Sequence, residues 1–131
     1  MSVLDEIRND ANGLALLYDW LGDEERPMRQ HTADVRAAIC LDCNKHRPGK
    51  WWEQMVKDPI AEVIRKQLQI KHQMKLETTF DDVLGMCRVC GCCIRTKVWV
   101  PPKHLKNHTP LDRLKQYPPW CWVPPEIESI S

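Results

Sequence analysis

The sequence predicts a mainly α-helical protein that carries one small β knuckle or hairpin and ends in an irregular, proline-rich segment. Helix caps followed by apolar residues at helical spacing recur along the chain, and two pairs of cysteines have the spacing of tight turns. Seven of the ten prolines fall within residues 100–125. A length of 131 residues with 43% hydrophobic residues is typical of a single domain with one modest core.

The N-terminal part of the chain contains three helix-start patterns. Ser2, with Asp5 three residues later, predicts a short first helix. Asn12 predicts a second helix, which carries apolar residues at helical spacing and ends at Gly22. Thr32 predicts a turn or short helix that leads into the first cysteine pair.

The longest helix is predicted over about residues 59–76, because Asp58 and Pro59 form an N-cap and first-turn proline. A short helix is predicted over residues 78–85, capped by a threonine and an aspartate three residues apart. Residues 94–100 are rich in β-branched and aromatic side chains and predict a strand that two prolines end. One more short helix is predicted to start near Thr109 and to end before the next proline pair.

Charge divides the chain into three predicted segments of one domain, 1–131. Residues 1–34 hold three basic and eight acidic residues and form a predicted acidic helical arm. Residues 35–100 form the cysteine-bearing body, and the wider range 35–106 holds fourteen basic and seven acidic residues. Residues 101–131 form a tail rich in proline and tryptophan. The basic body is typical of a solvated surface with counter-charge for thiolates, and a nucleic-acid surface is the other interpretation.

The N-terminal sequence indicates a reducing compartment, and in that compartment the cysteines indicate a metal. The N-terminus lacks a basic stretch followed by an apolar run, and no eighteen consecutive residues are apolar, so we expect no signal peptide and no membrane association. In such a compartment paired C-x-x-C units indicate metal ligands or redox sites before disulfides, and an odd total of seven cysteines fits a disulfide framework poorly. A dithiol redox centre would require a βαβ context, which the chain lacks.

The cysteines form one constellation in which short turns can aim two thiolates each at a single ion. This spacing predicts a four-cysteine zinc site within a zinc-ribbon-like knuckle, with Zn–S distances of about 2.3 Å. An irregular set with a distant partner also suits a [4Fe-4S] cluster, and Cys87, Cys90, Cys92 and Cys121 could supply it. His46, His104 and His108 are lesser ligand candidates. The predicted metal ligands are Cys40, Cys43, Cys87, Cys90, Cys92 and Cys121.

The run from the first cysteine pair through Cys87-Arg88-Val89-Cys90-Gly91-Cys92, Lys97 and Pro101 to Cys121 resembles a small cysteine-rich module of tailed-bacteriophage proteins. The resemblance covers about half of the chain. It departs from the module where Trp122 rather than proline follows Cys121, where Cys93 replaces a large apolar residue, and where a long helical segment separates the two halves. The resemblance implies a phage origin and six module-type cysteines, with no implied activity.

The tryptophans and prolines of the tail favour interaction over catalysis. Most tryptophans here are predicted to wrap the metal centre and to supply apolar area to the core. The other interpretation is an exposed anchor for a partner, and Trp120 and Trp122, which flank Cys121, are the predicted partner-binding residues. Proline pairs begin at residues 101, 118 and 124, and they predict a stiff, extended chain suited to covering a neighbouring surface.

Catalytic motifs are missing from the sequence: phosphate-loop, serine-hydrolase, zincin and deaminase patterns are all absent. We therefore expect a non-enzymatic, metal-stabilised structural or interaction protein of a tailed phage, a virion or tail-assembly component. It would act in the host cytoplasm during assembly and then in the virion, with other phage structural proteins as partners. The alternative is a nucleic-acid-binding zinc-ribbon module of phage replication or transcription, favoured by Arg88 and Arg95 beside the cysteines.

Overall fold

The computed structural model describes residues 13–47, 59–90 and 93–130. About 52% of these residues are helical, and their only sheet has two short strands, so the predicted mainly α class is confirmed. The predicted first helix from Ser2 and the caps Asn12 and Asp58 lie outside the described residues. The elements are α1 at residues 13–21, α2 Gln30–Leu41, β1 His46–Arg47, α3 Pro59–His72, β2 Met86–Cys87, α4 Ile94–Lys97, α5 Pro102–Asn107, α6 Leu111–Leu114 and α7 Val123–Glu128.

The first two described helices carry their buried faces into the core. Helix α1 ends at Gly22, as predicted, and Trp20 at its C-terminal end is fully buried. Helix α2 begins at Gln30, so Thr32 lies inside its first turn and the predicted cap at Thr32 is wrong. The buried face of α2 is narrow and carries small residues, which let other elements approach it closely; it consists of Ala33, Arg36, Ala37 and Cys40.

Helix α3 ends at His72, four residues before the predicted end near Leu76. Gln73 has a φ of 51°, the left-handed conformation that stops an α-helix. The Gln73 N–H donates to the Ile70 carbonyl at 3.4 Å, and the Met74 N–H donates to the Gln69 carbonyl at 3.1 Å. These two bonds form a Schellman motif, which satisfies the last carbonyls of the helix and turns the chain away.

The predicted helix over residues 78–85 is a set of turns instead. The expected cap is present: the Thr78 hydroxyl donates to Asp81 Oδ1 at 2.8 Å, and the Thr78 N–H donates to the same oxygen at 3.1 Å. The Leu84 N–H donates to the Phe80 carbonyl, but no second turn follows. The cap therefore forms, but the helical segment that follows it is too short to be a stable helix.

The predicted strand at residues 94–100 is wrong, because α4 and a following turn occupy this range. The Lys97 N–H donates to the Cys93 carbonyl at 3.0 Å, and the Val98 N–H donates to the Ile94 carbonyl at 3.2 Å. All seven residues from 94 to 100 are buried. A short apolar segment that is buried on every side has no periodic pattern of apolar and polar residues. Composition alone therefore favoured a strand over the helix and turn that form.

The tail is not the extended chain that its prolines predicted. Three short helices, α5, α6 and α7, form within residues 101–130. Pro102 opens α5 at a first-turn position, Pro110 is the N-cap residue of α6, and Pro124 and Pro125 lie in the first turn of α7. Proline is tolerated there because the first N–H groups of a helix have no partner within it.

One hydrophobic cluster joins residues of all three predicted segments, from Leu16 and Trp20 through Trp99 to Val123. Arg36 of α2 lies inside this cluster and is only 1% exposed. Its guanidinium donates to the carbonyls of Val98 and Val100 at 3.0 and 2.9 Å, pairs with Glu126 of α7, and lies 4.2 Å from the Trp122 ring centre. This arginine therefore ties α2 and α7 to the chain that follows α4.

Candidate metal centre

The first cysteine pair follows directly from the end of α2. Cys40 lies in the last turn of this helix, where the buried face points into the core. The Cys43 N–H donates to the Cys40 carbonyl at 3.1 Å, and the His46 N–H donates to the Cys43 carbonyl at 3.1 Å. Two successive turns thus reverse the chain around the cysteine pair, and β1 follows directly.

The two strands bring the second cysteine pair to the first. Strands β1 and β2 are antiparallel, with His46 opposite Cys87 and Arg47 opposite Met86. The Arg88 N–H donates to the Lys45 carbonyl at 2.9 Å and extends this pairing into the Cys87-x-x-Cys90 turn. Residues separated by more than forty positions in the sequence therefore lie next to one another at the end of the two-stranded sheet.

Three hydrogen-bond donors are directed at the sulfur atoms. The indole Nε1–H of Trp122 donates to Cys40 Sγ at 3.2 Å, and the backbone N–H of Lys45 donates to Cys43 Sγ at 3.4 Å. The ammonium group of Lys97 donates to Cys90 Sγ at 3.1 Å. N–H donors of this kind stabilise electron-rich sulfur, since a thiolate is a much better acceptor than a thiol.

Lys97 is the buried cation of this cluster. Its side chain comes from α4 and the residue is 2% exposed. The ammonium also donates to the Tyr117 hydroxyl at 3.2 Å and lies 4.9 Å from the Tyr117 ring centre and 5.6 Å from that of Trp122. A buried ammonium is costly unless negative charge lies close to it, and Cys90 Sγ supplies such charge when it is a thiolate.

The thiols themselves influence one another. Burial raises the pKa of Cys40 to about 12, and neighbouring Cys87 and Cys121 add to the rise, while Lys97 and the Trp122 indole oppose it. The hydrogen bond to Cys90, followed by burial, raises the pKa of Cys87. Without a cation besides Lys97, the folded protein therefore favours protonated thiols at these two positions.

Cys121 belongs to the same cluster as the paired cysteines. Burial raises its pKa, and the nearby Cys87 and Cys43 add to the increase. Cys93 is buried as well and is the N-cap residue of α4. None of the six cysteines within the described ranges forms a disulfide bond. Cys92, also predicted as a ligand, lies outside those ranges.

The described residues do not form a ready-made metal site. Among residues 13–47, 59–90 and 93–130, no group of three or more His, Cys, Asp and Glu side chains is arranged to hold a metal ion. The donor set nevertheless suits zinc chemically, because soft sulfur ligands on two facing turns carry N–H donors at three of the four paired cysteines. Binding therefore requires the thiols to turn toward one ion.

The histidines considered as lesser ligands are engaged elsewhere. His46 Nε2 accepts the Gly85 N–H at 3.0 Å. His104 contacts Asp19 and Asp23 through its two ring nitrogens at 3.1 and 2.9 Å, and His108 Nε2 lies 3.1 Å from the same Asp19 oxygen. His104 and His108 thus join α1 to the α5 region.

The two tail tryptophans have different environments. Trp120 is 55% exposed and is available to a partner. Trp122 is buried between Cys40 and Arg36, so its side chain belongs to the core and the thiol cluster. The sequence pointed to both residues, but the roles of Arg36 and of the Lys97 ammonium were missed, since neither charge had a helical or strand pattern that marked it as buried.

A polar hollow of about 490 Å³ lies on another side of the molecule, between α3 and the turns that follow it. Arg95 donates to Glu62 at 2.9 Å, and Arg65 lies 3.6 Å from both Glu62 and Asp81. Burial raises the pKa of Asp81, although its hydrogen bonds to Thr78 and the two arginines oppose the change. These buried charges neutralise one another and hold α3 to α4.

Comparison with protein-family models, with curated proteins and with solved structures finds no match for this chain. Within the part of the chain that the structure describes, none of the helices has the length and apolarity needed to cross a lipid bilayer.

Proposed function

We propose that this chain is a non-enzymatic interaction protein whose fold is stabilised by a metal ion bound to Cys40, Cys43, Cys87 and Cys90. Zn²⁺ is the ion that this set favours, because each C-x-x-C turn supplies two thiolates to a tetrahedral site. The metal would join the end of α2 to the two-stranded β1–β2 sheet. Cys121 belongs to the same thiol cluster and could replace one of these four ligands.

The observation that carries the proposal is the set of donors around the sulfur atoms. A buried ammonium, a buried indole N–H and a backbone N–H are all directed at cysteines of the two pairs. A four-thiolate zinc site has a net charge of about −2, which would stabilise the buried Lys97 ammonium beside it. A [4Fe-4S] cluster remains the alternative and would use Cys87, Cys90, Cys92 and Cys121.

Interaction rather than catalysis is supported by the surface. The chain carries no catalytic motif in its sequence, and exposed aliphatic and aromatic side chains remain on α3, on α6 and at Trp120. With the resemblance to a tailed-phage module, this leads us to propose a virion or tail-assembly role. For a nucleic-acid role the support is smaller, because Arg95 is paired with Glu62 in the interior and only Arg88 of the two arginines is exposed.

Elemental analysis of the purified protein tests the metal. We expect about one zinc per chain, and Cys90→Ser should release it and abolish the cooperative unfolding transition, because metal binding and folding are coupled. Cys93→Ala is the matched control: it removes a buried thiol of the same cysteine-rich segment and should retain zinc and cooperative melting. A brown protein with iron and no zinc would indicate the iron–sulfur alternative, and a folded chain free of metal would refute the proposal.

The interaction role has its own test. We expect the protein at fixed stoichiometry in purified phage particles. If the chain instead bound duplex DNA with an affinity that fell steeply with salt, in proportion to the phosphates contacted, the nucleic-acid alternative would replace this role.

A further inference from the structure

Helix α3 presents two different faces, and the heptad pattern separates them. With Ile60 at position a, the helix residues at positions b, c and f and the first e position are buried or half-buried; they are Ala61, Glu62, Ile64, Arg65, Leu68, Gln69 and His72. The a and d positions, 60, 63, 67 and 70, lie on the opposite side and are all exposed. Their spacing of three, four and three residues is that of a coiled-coil seam.

This exposed seam is mainly aliphatic. Ile60, Val63 and Ile70 are 54%, 58% and 71% exposed, and Gln67 is the polar member. At its C-terminal end the seam adjoins an open hollow of about 520 Å³, whose walls include Ile70 and Met74. Aliphatic side chains aligned along one helix are the feature that an amphipathic helix recognises when it packs into a groove.

The charges beside the seam select the partner. Lys66 occupies a g position and is exposed. Lys71 occupies an e position, where its ammonium donates to the Leu21 and Asp23 carbonyls at 2.8 and 2.6 Å and lies 3.8 Å from Glu24. The single acidic residue of α3, Glu62, is buried against Arg95. Lys75 lines the hollow with Lys66, and Glu77 is the acidic residue at its edge. A partner helix would therefore meet the Lys66 ammonium on one side of the seam and, on the other, the positive charge of Lys71 held against its own chain.

The same lysines argue against a second copy of this chain. In a parallel pair, position g of one helix faces position e of the other, so Lys66 would meet Lys71 of the second copy. In an antiparallel pair, g faces g and e faces e, and lysine would again meet lysine. Like charges in these positions oppose pairing, whereas glutamate or aspartate in the partner favours it.

We propose that the α3 surface, defined by Ile60, Val63, Lys66, Gln67 and Ile70, binds an amphipathic helix of a partner protein with apolar a and d positions and acidic e and g positions. This inference rests on the proposed interaction role and names its surface and the chemistry of its partner. Gln67 at the centre of the seam favours a polar residue opposite it and would set the register of the pair.

Two synthetic helical peptides of 21 residues test the inference against the purified full chain. Both have leucine at a and d, with one glutamine at the a position meant to face Gln67; one peptide has glutamate and the other lysine at e and g. We expect the glutamate peptide to bind at least about tenfold more tightly in fluorescence anisotropy, as like charges oppose the lysine peptide.

Variants locate the binding surface. Ile70→Glu and Val63→Glu should each weaken binding of the glutamate peptide about tenfold or more, since each removes aliphatic contact area and adds a like charge. Lys66→Glu should reverse the preference between the two peptides. Leu111→Glu on α6 is the matched control, because Leu111 is 76% exposed and lies on another helix, and it should leave the affinity unchanged.

Equal affinity for the two peptides, or no effect of the α3 variants, would overturn the inference. A dimer of the chain in sedimentation analysis that Ile70→Glu dissociates would also overturn it, because the seam would then bind a second copy. Circular dichroism verifies that each variant is folded. Zinc content measured on the same samples separates this outcome from the metal: zinc-loaded protein that ignores both peptides contradicts only this inference, whereas protein without metal contradicts the proposed metal site.

Discussion

Replacing Arg36 by methionine removes the charge that joins α2 to α7 while keeping most of the apolar stem. The guanidinium donates to the carbonyls of Val98 and Val100 and to Glu126, and it covers the Trp122 ring. After the substitution two buried carbonyls lose charged donors, and the Glu126 carboxylate, 28% exposed, loses its cation.

The expected loss follows from the burial of the site. Removing one partner of a buried ion pair costs about 3–5 kcal/mol, and the part-exposed Glu126 places the cost near the lower limit. We therefore expect the free energy of unfolding to fall by about 3 kcal/mol. For 131 residues the unfolding entropy is about 0.28 kcal/mol/K, so the melting temperature should decrease by about 11 °C.

Urea unfolding monitored by tryptophan fluorescence, with calorimetry for the melting temperature, measures this change. Arg36→Lys should recover only part of the loss, because an ammonium cannot reach three acceptors in a planar fork. Arg29→Met, at an exposed arginine preceding the same helix, is the control and should change stability by less than about 0.5 kcal/mol. A loss below about 1 kcal/mol for Arg36→Met, in a folded protein with unchanged metal content, would refute the reasoning.

Two further predictions concern the end of α3. Burial lowers the pKa of His72, with the charges of Lys71 and Arg26 adding to the decrease, and its Nε2 has no hydrogen-bond partner among the described residues. As the pH falls below about 6.5, His72 takes up a proton in the unfolded chain but remains neutral in the folded chain. The free energy of unfolding should therefore be highest above this pH and decrease as the pH falls below it. His72→Gln should make the unfolding midpoint in urea less sensitive to pH between about 7.5 and 5, and an unchanged pH dependence would contradict the assignment. Gln73→Gly should stabilise the protein by about 1 kcal/mol, because glycine adopts the positive φ without strain, whereas Gln67→Gly in the exposed interior of α3 should destabilise it by about 1 kcal/mol. Thermal unfolding of the two variants decides between these signs, and a destabilising Gln73→Gly would show that the helix end is not strained.

Local signals were sufficient where the chain itself makes the decisive bonds. The end of α1 at Gly22, the presence of α3 and the short helix α6 all follow from caps, breakers and periodic apolar residues. The Thr78–Asp81 cap also formed, although the predicted helix did not. A cap is a local interaction, so Thr78 and Asp81 could form one by themselves, but helix length depends on what the next turn can bury.

The candidate site divides in the same way. The two C-x-x-C spacings are sufficient to indicate a thiol cluster. The antiparallel pairing of β1 with β2 brings the two cysteine pairs to one end of the two-stranded sheet. The Lys97 ammonium and the Trp122 indole reach the sulfur atoms only because α4 and the tail fold over them. No spacing rule connects residues 40, 97 and 122, so this part of the site was not predictable from the sequence.

The sequence by itself determined the helical class, the paired cysteines and the end of α1, because each depends on residues within a few positions of one another. The tertiary structure decided that residues 94–100 form a helix and a turn, that the proline-rich tail is largely helical, and that Trp122 lies inside while Trp120 lies outside. These outcomes depend on which surfaces meet in the core. Burial on all sides removes the periodic pattern from a segment, and a charge such as Arg36 or Lys97 becomes an interior residue only when distant elements bring its partners to it.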